Sequence, residues 1–168
     1  DIDLDNRVLT HEDIIALIAL GRPGPMVMTG DFVRGKHDHA SVTYLHPALK
    51  RILEPTYGVM LYQEQVIEIA SVIAGFTPGE ADKLRKVMTR HRSQAEMNEI
   101  GKEFVRKAIN KGVAQDVAET VLSYIVGYAG YGFCQAHAAA FADTSYKTAY
   151  LLRHFPAQFY AAILNNQP

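Results

Sequence analysis

The 168-residue sequence predicts an all-α or mainly α, multi-helix fold with at most one short strand pair. Three observations predict it. Apolar residues recur at helical spacing, as at Val66, Ile69, Ala70 and Ile73. Helix start and stop signals stand between such runs, among them Thr77-Pro78 and Lys111-Gly112. The connections are short, with no internal repeat, low-complexity tract or strong linker, so residues 1–168 read as one domain with a lead-in over about 1–11.

The elements follow in order. Thr10 offers an N-cap, and Glu12 to Leu20 is a mostly apolar helical run. Gly21, Pro23 and Pro25 end it, because proline lacks the N–H and disfavours helix in the residue before it. Thr29 to Thr43, rich in Gly, His and Lys, reads as a polar connection. His46-Pro47 opens a short helix through Leu53, and Gly58 to Tyr62 alternates too little to require a strand but is compatible with a short one. Gln63 to Ala74 is a helix stopped by Gly75. Thr77-Pro78-Gly79-Glu80 has the spacing of a capping box and starts a helix to about Arg90. Helices are expected over Ser93 to Asn110 and Gln115 to Val126, then a glycine and aromatic loop over Gly127 to Phe133. A long helix over His137 to Phe155 and a last one over Pro156 to Asn166 complete the chain.

Composition narrows the function. At 48% hydrophobic and 21% charged residues, a packed core is expected and global disorder is excluded. A net charge of -1 argues against a free-standing basic DNA-binding module, so any nucleic-acid contact must come from local charge clusters. The one cysteine, Cys134, excludes an internal disulfide and a multi-thiolate zinc site, which fits a cytoplasmic protein. The longest apolar stretch, Ile14 to Leu20, is too short to span a bilayer and no leader precedes it, so no membrane role is expected.

One basic flank stands out. Lys83 and Lys86 are i,i+3, Lys86 and Arg90 are i,i+4, and Arg85 and Arg92 lie beside them. By themselves these residues favour a solvated face that offsets the helix dipole. Anion binding is the alternative, because guanidinium forks match phosphate oxygens. In the Ala129 to Phe133 loop, Tyr131 and Phe133 either stack on a base or sugar or pack under the turn, and Tyr131 is expected to be the exposed one. His137 stands at a helix start, where a lone histidine is usually a capping or core residue. Candidate DNA contacts are Arg22, Lys36, Gln63 and Arg92, although Tyr62-Gln63-Glu64-Gln65 reads mainly as structural. His37, Asp38 and His39 are loop neighbours without fixed ligand geometry, so no metal site is expected.

Several strings resemble, in order, the bacterial family C DNA polymerases, the alpha subunits of DNA polymerase III. They include Arg22-Pro23-Gly24-Pro25-Met26, Phe32-Val33-Arg34, Thr56-Tyr57-Gly58-Val59 and Tyr62-Gln63-Glu64-Gln65. Gly79-Glu80-Ala81-Asp82, Leu84-Arg85-Lys86-Val87-Met88, Ala129-Gly130-Tyr131-Gly132-Phe133 and His137-Ala138-Ala139-Ala140-Phe141 complete the set. The resemblance covers nearly everything from Glu12 onward and implies the fingers region. It implies a polymerase in which a primer hydroxyl attacks an incoming deoxynucleotide triphosphate between two magnesium ions. Those ions are held by palm aspartates upstream of the Arg-Pro-Gly-Pro string. Asp1-Ile2-Asp3 is read as an acidic lead-in instead, so this stretch is expected to hold no Mg2+ and to be inactive alone.

By the same resemblance, Arg85, Lys86, Arg90, Tyr131 and His137 face the nucleotide. Lys86 stands where arginine is common, and Gln135 replaces a usual lysine. Implied partners are the deoxynucleotide triphosphate, primer-template DNA and the other polymerase III holoenzyme subunits. An error-prone paralogue acting in translesion synthesis is the alternative within the family, supported by Gln135 and the Leu164-Asn165-Asn166-Gln167-Pro168 end. A helical DNA- or protein-interaction module without nucleotide chemistry is the alternative of another class. The discriminating feature is whether the basic helix and the segment around His137 converge.

Overall fold

The computed structural model describes residues 10–22, 24–89, 94–128 and 132–166. Among them stand nine α-helices: α1 (His11–Leu20), α2 (Thr29–His37), α3 (Pro47–Leu53), α4 (Gln63–Ala74) and α5 (Pro78–Thr89), then α6 (Gln94–Asn110), α7 (Gln115–Gly127), α8 (Gln135–His154) and α9 (Pro156–Asn166). Single 3₁₀ turns occur at Pro25–Met28, His39–Ser41 and Glu54–Thr56. In place of the short strand pair that the sequence allows at most, the described residues hold one isolated parallel bridge, Tyr62 with Phe133.

Sequence signals act where they were read. The Thr10 hydroxyl accepts the Asp13 N–H at 3.1 Å, and the Asp13 carboxylate accepts the Thr10 N–H at 2.7 Å, a complete capping box for α1. Glu80 closes the second box at α5, accepting the Thr77 N–H at 2.8 Å. Lys107 of α6 donates to the same carboxylate, and Lys107 first, then Thr77, hold Glu80 down to about 2. Gly75 ends α4 with φ of +67°, a left-handed conformation that costs glycine little.

The polar connection expected over Thr29 to Thr43 is corrected by the structure: most of it is α2. Local propensity is poor, with Gly30 and Gly35 inside the helix, but tertiary burial overrides it. Phe32 is fully buried and meets the Tyr57 ring edge-on at 5.0 Å, and Lys36 is buried as well.

Two adjoining apolar clusters form the core. The larger gathers α3 to α7 around Ile69 and Ile73 of α4, together with Leu84 and Phe104. The smaller joins Ala16 and Leu20 of α1, Phe32 of α2, Leu61 and Tyr62 before α4, and Ala138 and Ala142 of α8. These alanines let α8 lie close against α1. In α8 the buried residues are Ala138 and Ala142, and α9 has none, so the end of the chain runs away from the core.

Candidate functional site

The site grows from the bridge between the entry to α4 and the entry to α8. The Gln63 N–H donates to the Phe133 carbonyl at 3.0 Å, and the Phe133 N–H donates to the Leu61 carbonyl at 3.3 Å. The Tyr128 hydroxyl donates to the Leu61 carbonyl and accepts the Phe133 N–H at 3.1 Å. Burial pushes that phenol well above its ordinary value, so it remains a protonated donor. A Cβ at Gly132 would lie 2.9 Å from the Gln63 side chain and 3.1 Å from the Tyr128 ring, so close approach demands glycine here.

The same bridge reaches the basic helix. The Gln63 side chain donates to the Gly132 carbonyl at 3.0 Å and accepts from Arg85 Nη1 at 3.0 Å. Arg85 Nε and Nη2 donate to Asp82 Oδ1 at 2.9 and 2.7 Å. Lys86 pairs with the other oxygen of Asp82 at 2.7 Å. The hydrogen bond from Lys86 first, then that from Arg85, hold the Asp82 carboxyl below its usual range. Asp82 is thus the shared counter-ion of the flank, one helical turn before each cation.

The entry to α8 carries an aromatic stack. The Arg22 guanidinium lies 4.9 Å from the centre of the half-buried Phe133 ring, a cation–π distance. The His137 ring lies 5.4 Å from Phe133 and 4.7 Å from Phe141. His137 is exposed, and the Arg85 side chain retains 27% of its surface, so neither belongs to the apolar core. Glu64 occupies the start of α8, both carboxylate oxygens accepting the Gln135 N–H at 3.1 and 3.2 Å. A carboxylate already answers the helix-start field there.

Arg85, Gln63, Phe133, His137 and Arg22 are therefore joined by a continuous chain of contacts, and Lys86 lies on the same helix as Arg85. Arg90, Arg92 and Tyr131 lie outside the described residues, as does the Asp1-Ile2-Asp3 lead-in. Lys36 is a correction. Its ammonium sits 2.6 Å from Asp13 with 7% of its side chain exposed, so it is an internal counter-ion and not a DNA contact. The same carboxylate accepts the Tyr57 hydroxyl at 2.9 Å. Burial opposes both charges, but the mutual hydrogen bond wins: Asp13 falls below its usual range and Lys36 rises above its own. Gln65 is wholly structural, accepting the Leu61 and Tyr62 N–H groups and donating to Ile52 and Thr56.

Among the described residues no group of three or more His, Cys, Asp or Glu comes together to hold a metal ion. Asp38 instead accepts the Ala40 N–H at 3.1 Å, and His39 meets the Tyr57 ring edge-on. The described residues therefore offer no carboxylate cluster that fits magnesium.

Residues 6–112 match the family described as bacterial DNA polymerase III alpha subunit finger domain. The chain belongs to that family. It is 59% identical over 159 residues to the error-prone DNA polymerase of Symbiobacterium thermophilum, covering 94% of this chain and 15% of that protein. It is 46% identical over 156 residues to DNA polymerase III subunit alpha of Borreliella burgdorferi, covering 93% of this chain and 14% of that protein. The Pseudomonas aeruginosa alpha subunit is 45% identical over 160 residues. The chain thus spans about one-seventh of the length of those relatives.

Sequence reasoning missed three parts of the site. Asp82 and Glu64 were residues inside matched strings, without assigned roles. Gln63 reads in the sequence as a candidate DNA contact, and its bonds to Arg85 and Gly132, 22 and 69 residues further along the chain, come in addition. No local spacing signals such a link.

Proposed function

We propose that this finger domain serves a bacterial DNA-directed DNA polymerase by meeting the incoming deoxynucleotide triphosphate beside primer-template DNA. What supports the reading is the linkage of Arg85 on α5 to Phe133 and His137 at the start of α8. Arg85 is the phosphate-facing group, because a guanidinium offers paired donors to phosphate oxygens while lysine offers a point charge. Lys86, Arg90, Tyr131 and His137 are its proposed companions around the nucleotide. Arg22, Gln63 and Arg92 are proposed neighbours of the DNA. The magnesium ions and their carboxylates belong to the rest of the polymerase, as do contacts with other holoenzyme subunits. The intact enzyme works in the bacterial cytoplasm. No helix among the described residues is long and apolar enough to cross a membrane.

A second reading within the family has an observation of its own. Identity to the error-prone relative is 59%, against 46% and 45% for two alpha subunits. This favours an error-prone polymerase acting in translesion synthesis over the main replicase.

The experiment is single-nucleotide incorporation by the full-length polymerase carrying Arg85→Ala. Loss of one charged hydrogen bond, worth about 1.5–3 kcal/mol, lowers kcat/KM for the nucleotide roughly tenfold or more and leaves DNA affinity unchanged. Kinetics within about twofold of the parent assign Arg85 to a solvated face instead.

A further inference from the structure

We propose that Gln63 is a positioning residue for nucleotide use: its side-chain amide ties the Arg85 guanidinium to the Gly132 backbone, so that both present themselves to the substrate as one unit. The inference rests on the nucleotide-facing reading of Arg85. Its geometry is specific. The amide oxygen accepts Arg85 Nη1 at 3.0 Å while the amide nitrogen donates to the Gly132 carbonyl at 3.0 Å. Turning the amide over would set NH₂ against guanidinium and oxygen against oxygen, so the two neighbours fix its sense. The Gln63 backbone is itself clamped, its N–H donating to the Phe133 carbonyl at 3.0 Å.

Arg85 is gripped on two sides. Asp82 Oδ1 takes Nε and Nη2, and Gln63 takes Nη1. Asp82 lies on α5 with Arg85 and holds the side chain only relative to its own helix. Gln63 lies on α4, 22 residues away, and orients the guanidinium relative to the segment that leads into His137. The absence of a side chain at Gly132 is what lets this bridge close, since a Cβ there would meet Gln63 at 2.9 Å. Preorganising a charged donor in this way removes the ordering cost that a free arginine incurs on meeting its ligand.

The test uses the full-length polymerase on a primed template, with Gln63→Met, Gln63→Glu, Arg85→Ala and the double variant Q63M/R85A. Gln63→Met removes both hydrogen bonds at similar volume. It is expected to raise KM for the nucleotide about fivefold or more, and to add less than about twofold once Arg85 is alanine. Gln63→Glu keeps an acceptor for Arg85 but cannot donate to the Gly132 carbonyl. It is expected to raise KM as well, and carries the test if Q63M does not fold. Parental KM in the folded Gln63 variants, or a Q63M penalty that persists in full beside R85A, overturns the inference. Parental kinetics for R85A overturns the nucleotide-facing reading itself, so the two failures are distinct.

Discussion

At the scale of single residues, charge pairs that look alike in sequence have opposite consequences. Asp82 with Arg85 and Lys86 sits at the surface, where solvent screens such pairs and they contribute little to stability. Asp13 with Lys36 is internal, with side-chain exposures of 1% and 7%. Removing one member of such a pair strands a buried charge, so Lys36→Met should cost about 3–5 kcal/mol in urea unfolding near neutrality. The pH dependence follows from the two shifts. Burial raises Asp13, but Lys36, Thr10 and Tyr57 lower it further, so its stabilisation is present above the ordinary value of 3.8 and is lost as pH falls through the depressed folded value. Burial lowers Lys36, but Asp13 raises it further, so its stabilisation is full below the ordinary value of 10.5 and is lost as pH rises through the folded value. The stability gap between parent and Lys36→Met should therefore narrow on acidification, as Asp13 is protonated in both. A gap that stays constant down to the acid transition would contradict the buried pairing.

At the scale of elements, close approach decides more than propensity. Gly35 lets α2 touch the turn at Tyr57: a Cβ there would lie 2.8 Å from the Tyr57 carbonyl oxygen. Gly35→Ala should accordingly destabilise by about 1–3 kcal/mol, read as a lower denaturant midpoint, although alanine is the better helix former. A midpoint equal to or above the parent's would show that the turn yields. The same contrast explains what the sequence made legible. The start of α5 was readable from Thr77-Pro78-Gly79-Glu80, and the bounds of α4 from its apolar spacing and Gly75, because those signals are local. The helix α2 was not readable, because Phe32 and Lys36 are stabilised by partners in α1 and at Tyr57. The family and the nomination of Arg85 and His137 were readable from ordered strings. The link between them was not, since Gln63 bonds to partners 22 and 69 residues further along the chain.

At the scale of the whole molecule, a net charge of -1 coexists with a local cationic flank, so the overall field says little about what the surface meets. The far end of the chain is apolar and uncovered: Tyr146, Tyr150, Phe155, Tyr160 and Leu164 are 60%, 51%, 48%, 55% and 73% exposed. As an isolated 168-residue chain the protein should self-associate with concentration, measured as a rising mass in light scattering. Replacing Tyr160 and Leu164 with serine should lower that mass, and a parent that stays monomeric at every concentration would contradict the expectation. At the other end of α8, the nucleotide-facing role of Arg85 is tested most directly by a structure of the intact polymerase with primer-template and an unreactive nucleotide. The Arg85 guanidinium is expected within about 3.2 Å of a triphosphate oxygen, with Gln63 still bonded between it and Gly132. A triphosphate seated elsewhere, with Arg85 facing only Asp82 and solvent, would contradict it.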